Sequence, residues 1–300
     1  MNIAVVVNPA ARAGAHTDAA TKAVERLRAH GHTVTEISGG SAAETSTLIR
    51  TAVEVGTDAV AVVGGDGTVN LAAQELAGSG VPLGMIPTGT GNDFAAHFGV
   101  PRLAPEHAAD VIHAGDTRAV DLAQVIRADG STQVYATVLA CGFDSAVNDR
   151  ANRMRWPKGD MRYNIAILLE FVFLKGLPFT VHVDDERVDG PLIMASVGNT
   201  RTYGGNIPIC PDADVADGLL DLTVVRPSGR LHLLRLLPTL YKGTHVQHPE
   251  VETYRGRRIR LEAANVTAYA DGDPIGTLPL TIDALPGALT LFAPAADTTV

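Results

Sequence analysis

The sequence predicts an α/β plus β protein, with a parallel α/β half followed by an antiparallel β half. Three observations carry this. Over the first hundred residues, continuous apolar runs alternate with segments of helical period, the order that builds a parallel sheet covered on both faces. Glycine-rich turns follow three of those runs. Beyond about residue 117, short β-like runs follow one another across hairpin signals instead.

The elements follow in order. IAVVV (3 to 7) reads as a buried strand. TDAATKAVERLRAHG reads as a helix with Ala20, Val24 and Leu27 on one face and Gly31 as its stop. HTVTEI is a strand, AAETSTLIRTAVEVG a helix and DAVAVV a strand. GGDGT then opens a helix running through LAAQELAG, with Thr68 expected as its N-cap, and VPLGMI leads to PTGTGND and another helix. In the second half, AVDLAQVIRADGSTQVYATVLA turns at Ala128-Asp129-Gly130, and FTVHVDDERVDGPLIMASVG repeats the pattern. LDLTVV, RIRLEA, VTAYADGDPIG and LPLTIDAL continue the antiparallel series. RYNIAILLEFVFLKG and RLHLLRLLPTLYKG are expected helices, and the closing ALTLFAP is an apolar strand that could return to the first half.

Composition sets the outer limits. A length of 300 residues suggests two domains at roughly 150 residues each. A net charge of -9 argues against a protein that grips nucleic acid with its whole surface, and no nucleic-acid partner is expected. Cys141 and Cys210 are too few for a disulfide framework and suit a reducing compartment. Met1 leads directly into a strand pattern, so no signal peptide is expected, and no apolar stretch reaches the roughly 18 to 20 residues of a membrane span.

Glycines at a strand-to-helix turn let backbone N–H groups approach an anion, and the helix N-terminus adds its positive dipole end. Asn8 to Gly14, Gly64 to Thr68 and Thr88 to Asp93 each follow a strand of the first half. Three such turns at corresponding strand ends point to a nucleotide phosphate site. None fits GxxxxGK[ST], and none fits GxGxxG with a suitable helix behind it. Two of the turns carry aspartates, Asp66 and Asp93. A carboxylate beside phosphate is repulsive unless a cation mediates, and Mg²⁺ commonly uses one or two carboxylates with substrate phosphates. Phosphoryl transfer is the chemistry that follows.

Six segments extend this to a family: VVGGDGTVN (62 to 70), IPTGTGNDFA (86 to 95), CGFDSAVN (141 to 148), GNTRTYGGNIPICPDADVADGLLDL (198 to 222), GTHVQHPEV (243 to 251) and ADGDPIGTLPLTI (270 to 282). In order and content they resemble the lipid kinases that share the diacylglycerol kinase catalytic domain, including sphingosine kinases and bacterial diacylglycerol kinases. The resemblance implies an ATP-binding α/β domain, expected over 1–119 with about 286–300, and a β-sandwich-like lipid-substrate domain over 120–285, with ATP in the cleft between them. It implies that Asn8, Pro9, Ala10, Ala11, Arg12, Gly64, Gly65, Asp66, Gly67, Thr68, Val69, Asn70, Leu71, Thr90 and Asn92 contact ATP, with Ser38 a further member. Asp66 and Asp93 would belong to the network holding catalytic Mg²⁺. The family's DGE triplet falls on Asp271-Gly272-Asp273, where Asp273 replaces the usual Glu; the resemblance implies Asp273 as general base with Asp271 assisting the metal or nucleotide, or else Asp271 as the base. A structural Mg²⁺ would take the Asp217 side chain and the backbone carbonyls of Asp214 and Leu219. His245 and His248 are read as structural.

The substrate implied is a lipid at a membrane surface, most simply diacylglycerol, met by a cytoplasmic enzyme peripherally bound to the inner face of the membrane. Arg150, Arg153, Arg155, Lys158, Arg162 and Lys175, interleaved with Trp156, form a local basic stretch that would dock there or else be a solvated flank. A sphingoid base or another lipid alcohol, an NAD kinase-like activity, and a catalytically silent nucleotide- or lipid-sensing role are the alternatives. A homodimer is left open.

Overall fold

Residues 1–7, 15–89, 92–100, 104–154, 156, 161, 165–166, 169 and 175–294 are described by the computed structural model of the chain. They divide into two compact units, Met1–Leu122 with Val215–Asp217 and Leu285–Val300, and Ala123–Asp214 with Gly218–Ala284. Nothing in the sequence pattern indicated that 215–217 joins the first unit.

In the first unit, strands β1 (Asn2–Val7), β2 (Thr33–Ile37), β3 (Ala59–Gly64) and β4 (Leu83–Pro87) lie in the order β2-β1-β3-β4, every pair parallel. Continuous Val/Ala/Ile runs form β1, β3 and β4 because both faces of a parallel sheet are covered, and β3 and β4 are buried throughout. Strand β2 lies at the edge and alternates polar and apolar residues. Helices α1 (Ala15–Ala29), α2 (Ala42–Glu54), α3 (Asp66–Leu76), α4 (Asp93–His97) and α5 (Pro105–Ala114) follow the strands. Ala20, Val24 and Leu27 are all buried, as the helical period requires. Fully burying a side chain such as Leu27 contributes roughly 1.5–3 kcal/mol. Ser41 caps α2 by accepting from Glu44 N at 3.2 Å, and Glu44 answers by accepting from Gly40 N at 2.7 Å.

The strand order matters for function. The chain leaves β1 toward β2 on one side, then returns to β3 on the other, so β1 and β3 flank a topological switch point. Open α/β sheets bind ligands beyond the carboxyl ends of their strands at such a point.

The second unit is a sandwich of antiparallel sheets. One has the order β12 (Val251–Gly256), β11 (Leu220–Val225), β10 (Met194–Gly198), β7 (Val138–Gly142), β14 (Thr267–Ala270), β15 (Asp273–Thr277). The other is built from β8 (Leu177–Val183), β9 (Glu186–Leu192), β13 (Arg258–Glu262) and the first residues of β16 (Leu280–Phe292). Their inner faces share one core, with Leu139, Val197 and Leu222 from the first sheet and Val181, Ile259 and Ile282 from the second. Strands β5 (Thr117–Ile126) and β6 (Thr132–Tyr135) pair as the expected hairpin. Helix α6 (Phe143–Arg153) follows β7, and α7 (Arg230–Leu240) precedes β12.

Several expectations are corrected. Thr68 is not the N-cap of α3, since the helix begins at Asp66 and the capping position is Gly65, in extended conformation. LPLTIDAL and ALTLFAP are one strand, β16, whose last residues pair with β4 at Leu291 and Leu83. Helix α5 was not assigned although its signals were present, Pro105 at its start and Gly115 at φ +80° at its end. Most of RYNIAILLEFVFLKG lies outside the described residues.

Candidate active site

The turns after β3 and β4 pack backbone against backbone. Thr88 N–H donates to the Gly64 carbonyl at 3.0 Å. A Cβ on Gly89 would lie 2.7 Å from Gly65 Cα, and one on Gly64 would lie 2.8 Å from the Thr68 side chain. These glycines are therefore required by the fold alone. Gly67 is different: it sits in the first turn of α3 and, among the described residues, has nothing within 4 Å of the position a Cβ would take. Glycine in a helix costs up to about 1 kcal/mol relative to alanine. No local contact requires it there, and the open space lies at a helix N-terminus beside the switch point.

Asp66 fastens the two turns together. Its Oδ2 accepts from Asn92 N at 2.7 Å and its Oδ1 from Phe94 N at 3.2 Å. Asn92 is held in the left-handed region (φ 60°, ψ 40°), where its Nδ2 donates to the Gly89 carbonyl at 2.8 Å and its Oδ1 accepts from Gly89 N at 3.1 Å. Asp93, buried, is the first residue of α4, between the two residues whose N–H groups Asp66 receives. A carboxylate offers about four lone-pair sites, so Asp66 keeps acceptor capacity after these two bonds.

The remaining expected residues fall as follows. Thr68, Val69 and Asn70 are buried in α3, and Asn70 Oδ1 has no partner among the described residues. Leu71 is half-buried on the same helix. Ser38 is half-buried at the end of β2, on the same edge of the sheet as the β3 and β4 turns. Asn8, Pro9, Ala10, Ala11, Arg12 and Thr90 lie outside the described residues.

In the second unit, Asp271 (φ 51°) and Gly272 (φ 90°) form the two-residue turn of the β14–β15 hairpin, with positive φ at both positions as a type I′ turn demands. The Asp271 carboxylate accepts from Ala136 N at 3.0 Å, from Thr137 N at 3.1 Å and from the Thr137 hydroxyl. Asn199 holds the same two residues, donating from Nδ2 to the Ala136 carbonyl at 2.8 Å and from its backbone N–H to the Thr137 carbonyl at 2.8 Å. Asp273 is exposed. The two carboxylates left as alternatives thus have different surroundings: Asp271 is consumed in holding the β6–β7 connection, and Asp273 faces solvent.

Sequence reasoning missed Thr137, and also Asp149 of α6, whose carboxylate accepts from the Tyr269 hydroxyl. Both contacts join residues more than a hundred positions apart, for which a single sequence carries no signal. Asn199 stood inside a recognised segment, and its work there is to fix a backbone. Gly198, beside it, is required because a Cβ would sit 2.8 Å from Cys210. Burial pushes the Cys210 thiol up to about 12. Buried His245 donates from Nε2 to the Ile209 carbonyl at 3.0 Å.

Asp66 and Asp93 fit a magnesium ion in donor chemistry, since that ion uses one or two carboxylates and completes its shell with phosphates and water. No three His, Cys, Asp or Glu side chains converge as a metal cluster among the described residues. Asp214 and Asp217 are exposed and Leu219 half-buried in the turn leading to β11, where Gly218 takes φ +72°.

Glycine turns on a parallel sheet, followed in the chain by an antiparallel sandwich, are the features compared with known proteins. Residues 2–125 match the diacylglycerol kinase catalytic domain family, and residues 137–293 match the YegS C-terminal NAD kinase beta sandwich-like domain. A diacylglycerol kinase of Mycobacterium tuberculosis is 47% identical over 97% of this chain and 95% of its own length. A putative diacylglycerol kinase from Bacillus anthracis superposes with a TM-score of 0.81 over 99% of this chain and 96% of its own, at 23% identity. An NAD kinase from Archaeoglobus fulgidus in complex with ATP shares the fold with a TM-score of 0.53 over 97% of this chain and 93% of its own, at 16% identity. The chain belongs to the family of diacylglycerol kinases and YegS-like lipid kinases, and it is a lipid kinase.

Proposed function

We propose that this kinase transfers the γ-phosphoryl group of ATP to the hydroxyl of diacylglycerol, forming phosphatidic acid. The observation that carries the nucleotide half is Gly67, the glycine of the β3 turn that neither packing nor backbone conformation requires. It leaves the N-terminus of α3 open to a phosphate beside the switch point, where backbone N–H groups and the helix dipole favour anions. The diacylglycerol half is supported by the 47% identical relative of that name, which the chain matches over nearly its whole length.

Each residue has a defined task in this reading. The turn at Gly64–Gly67, where α3 begins, receives the phosphates through backbone N–H groups. Asp66 and Asp93 would hold Mg²⁺, which when bound would supply positive charge beside the transferring group. Asp66 also fixes the Gly89–Asn92 turn, so that the two glycine turns meet the nucleotide as one rigid edge. Asp273 takes the proton of the lipid hydroxyl, while Asp271 positions the hairpin that carries it. Asp217, with the carbonyls of Asp214 and Leu219, is the proposed seat of a structural Mg²⁺. The protein acts from the cytoplasmic side, at the surface of the membrane that contains its acceptor.

Incubating the protein with γ-labelled ATP, Mg²⁺ and a total lipid extract tests this. Label recovered in phosphatidic acid supports the proposal. Label in a sphingoid-base phosphate or another lipid phosphate transfers the reading to that acceptor, and no labelled lipid of any kind defeats it.

A further inference from the structure

Helix α7 is apolar on opposite faces. Leu233 and Leu236 turn inward and are buried with Val138, Ile193, Ile209 and Val251. Leu231 and Leu234 lie on the other side, 64% and 49% exposed, and Tyr241 at the end of the helix is 68% exposed. With exposed Pro238 they fall at i, i+3, i+7 and i+10, a single stripe along the solvent face. A helix apolar all round belongs in a core or against hydrocarbon. Here one face has its core and the other has none among the described residues.

Charge identifies what the outer face meets. Residues 228–243 contain no Asp or Glu but carry Arg230, Arg235 and Lys242, on a chain whose net charge is -9. Arg235 and Lys242 are exposed beside the stripe. A further cation lies close by: Gly176 packs against Pro227, where a Cβ would come within 2.3 Å of the proline ring, bringing exposed Lys175 and Leu177 to the approach to α7. Glu250 accepts from Ser228 at 3.1 Å just before the helix, so the charge of α7's own residues, not of every neighbour, is positive; an apolar stripe flanked by these cations fits the boundary between anionic headgroups and acyl chains.

The geometry points to α7 as an interfacial membrane helix: Leu231, Leu234 and Tyr241 enter an anionic bilayer, and Arg230, Arg235 and Lys242 meet lipid phosphates. This rests on the lipid-kinase reading and specifies the face by which the enzyme reaches its acceptor. It adds a docking face on a segment that the sequence marked only as a helix; Arg155, Lys158 and Arg162 of the expected basic stretch lie outside the described residues.

The test uses the full chain and vesicles of phosphatidylglycerol and phosphatidylcholine in equal parts, with phosphatidylcholine alone as control. Wild type, Leu231→Glu with Leu234→Glu, and Arg235→Glu with Lys242→Glu are compared by co-sedimentation. All three are also assayed for phosphorylation of a short-chain, monomerically soluble diacylglycerol. Wild type should bind the anionic vesicles, and both variants should bind at least about tenfold more weakly. Turnover of the soluble substrate should stay within about twofold, because no substituted side chain belongs to the catalytic machinery. Absence of vesicle binding by wild type, or equal binding by both variants, overturns the inference. So does a wild-type dimer that the leucine variant converts to monomer without loss of vesicle binding, which would assign the stripe to a second copy of the chain. If wild type binds vesicles in this stripe-dependent way but phosphorylates no diacylglycerol, the docking face stands and the substrate assignment fails.

Discussion

The backbone N–H of Asn92 donates to Asp66 Oδ2 at 2.7 Å, so the turn after β3 and the turn after β4 close on each other through one carboxylate. A charge set among glycines looks repulsive to phosphate in the sequence. In the fold, it satisfies two donors at the start of α4, and the glycines around it permit the approach that makes this possible. One residue thereby ties the two glycine turns together, at the edge proposed to receive phosphate.

Replacing Asp66 separates these two tasks. Asp66→Ala orphans the N–H groups of Asn92 and Phe94, and should destabilise the chain by about 2–4 kcal/mol, taking roughly 1–3 kcal/mol for each unpaired donor with partial relief by water. Asp66→Asn keeps an acceptor and loses the charge, so its melting temperature should lie nearer wild type while phosphorylation still falls by about a hundredfold or more. An Asn variant with wild-type turnover would remove Asp66 from the metal network.

Glycine substitutions should divide by position. Gly89→Ala drives a Cβ to 2.7 Å from Gly65 Cα and should cost about 1–3 kcal/mol of stability. Gly67→Ala meets nothing and should leave stability equal or up to about 1 kcal/mol higher. The same variant should raise the KM for ATP, measured with lipid saturating, because the methyl group enters the space reserved for phosphate. An unchanged KM would mean that the open space serves something else.

The two hairpin aspartates should respond oppositely. Asp271→Ala leaves the N–H groups of Ala136 and Thr137 without their acceptor and should lower stability by about 2–3 kcal/mol, read as a shifted denaturant midpoint. Exposed Asp273→Asn should leave that midpoint within about 0.5 kcal/mol and reduce kcat by about 10²- to 10⁴-fold. Rescue by Asp273→Glu would fit the longer carboxylate usual in the family. Full activity of Asp273→Asn would eliminate it as the base.

Acid should weaken the α1–α5 contact in two stages. His32 is held below its ordinary value by burial, and then by the Met1 ammonium, His113 and His30. Its ring lies 3.2 Å from His113, which stacks on His30 with ring centroids 3.8 Å apart. Because the unfolded chain binds the proton first, stability should begin to fall as pH drops below about 6.5. Asp110 is brought down to about 2 by hydrogen bonds from Arg26 and then His30, so its contribution is complete above the unfolded value of 3.8 and fades as pH falls toward 2. About a third of its side chain is exposed, which screens the effect. Denaturant midpoints across pH should show both declines, with Asp110→Asn removing only the lower. A midpoint constant from about pH 7.5 to 5.5 would contradict the His32 assignment.

Much of this architecture was legible because period and burial agree. Val60 to Val63 are apolar without a break, and both faces of β3 are covered. Glycine turns were legible as turns, but their reasons were not. Gly65 and Gly89 answer to each other, a contact that exists only when β3 and β4 are side by side, and Gly64 answers to the Thr68 side chain four residues on. The same limit hid Asp271, whose partners lie 134 and 135 residues away. Its place in an acidic triplet suggested chemistry, and the fold gives it a fastening role. Thr68 is not the cap because α3 begins two residues earlier, at Asp66, which leaves Gly65, a glycine that the turn requires for its approach to Gly89, in the capping position.

The most direct measurement places wild type and Asp273→Asn in parallel reactions with γ-labelled ATP and Mg²⁺, offering dispersed diacylglycerol in one and NAD in the other. The expected result is labelled phosphatidic acid from wild type, none from NAD, and a loss of about a hundredfold or more in Asp273→Asn. Labelled NADP, or phosphatidic acid formed equally by both proteins, would contradict the account.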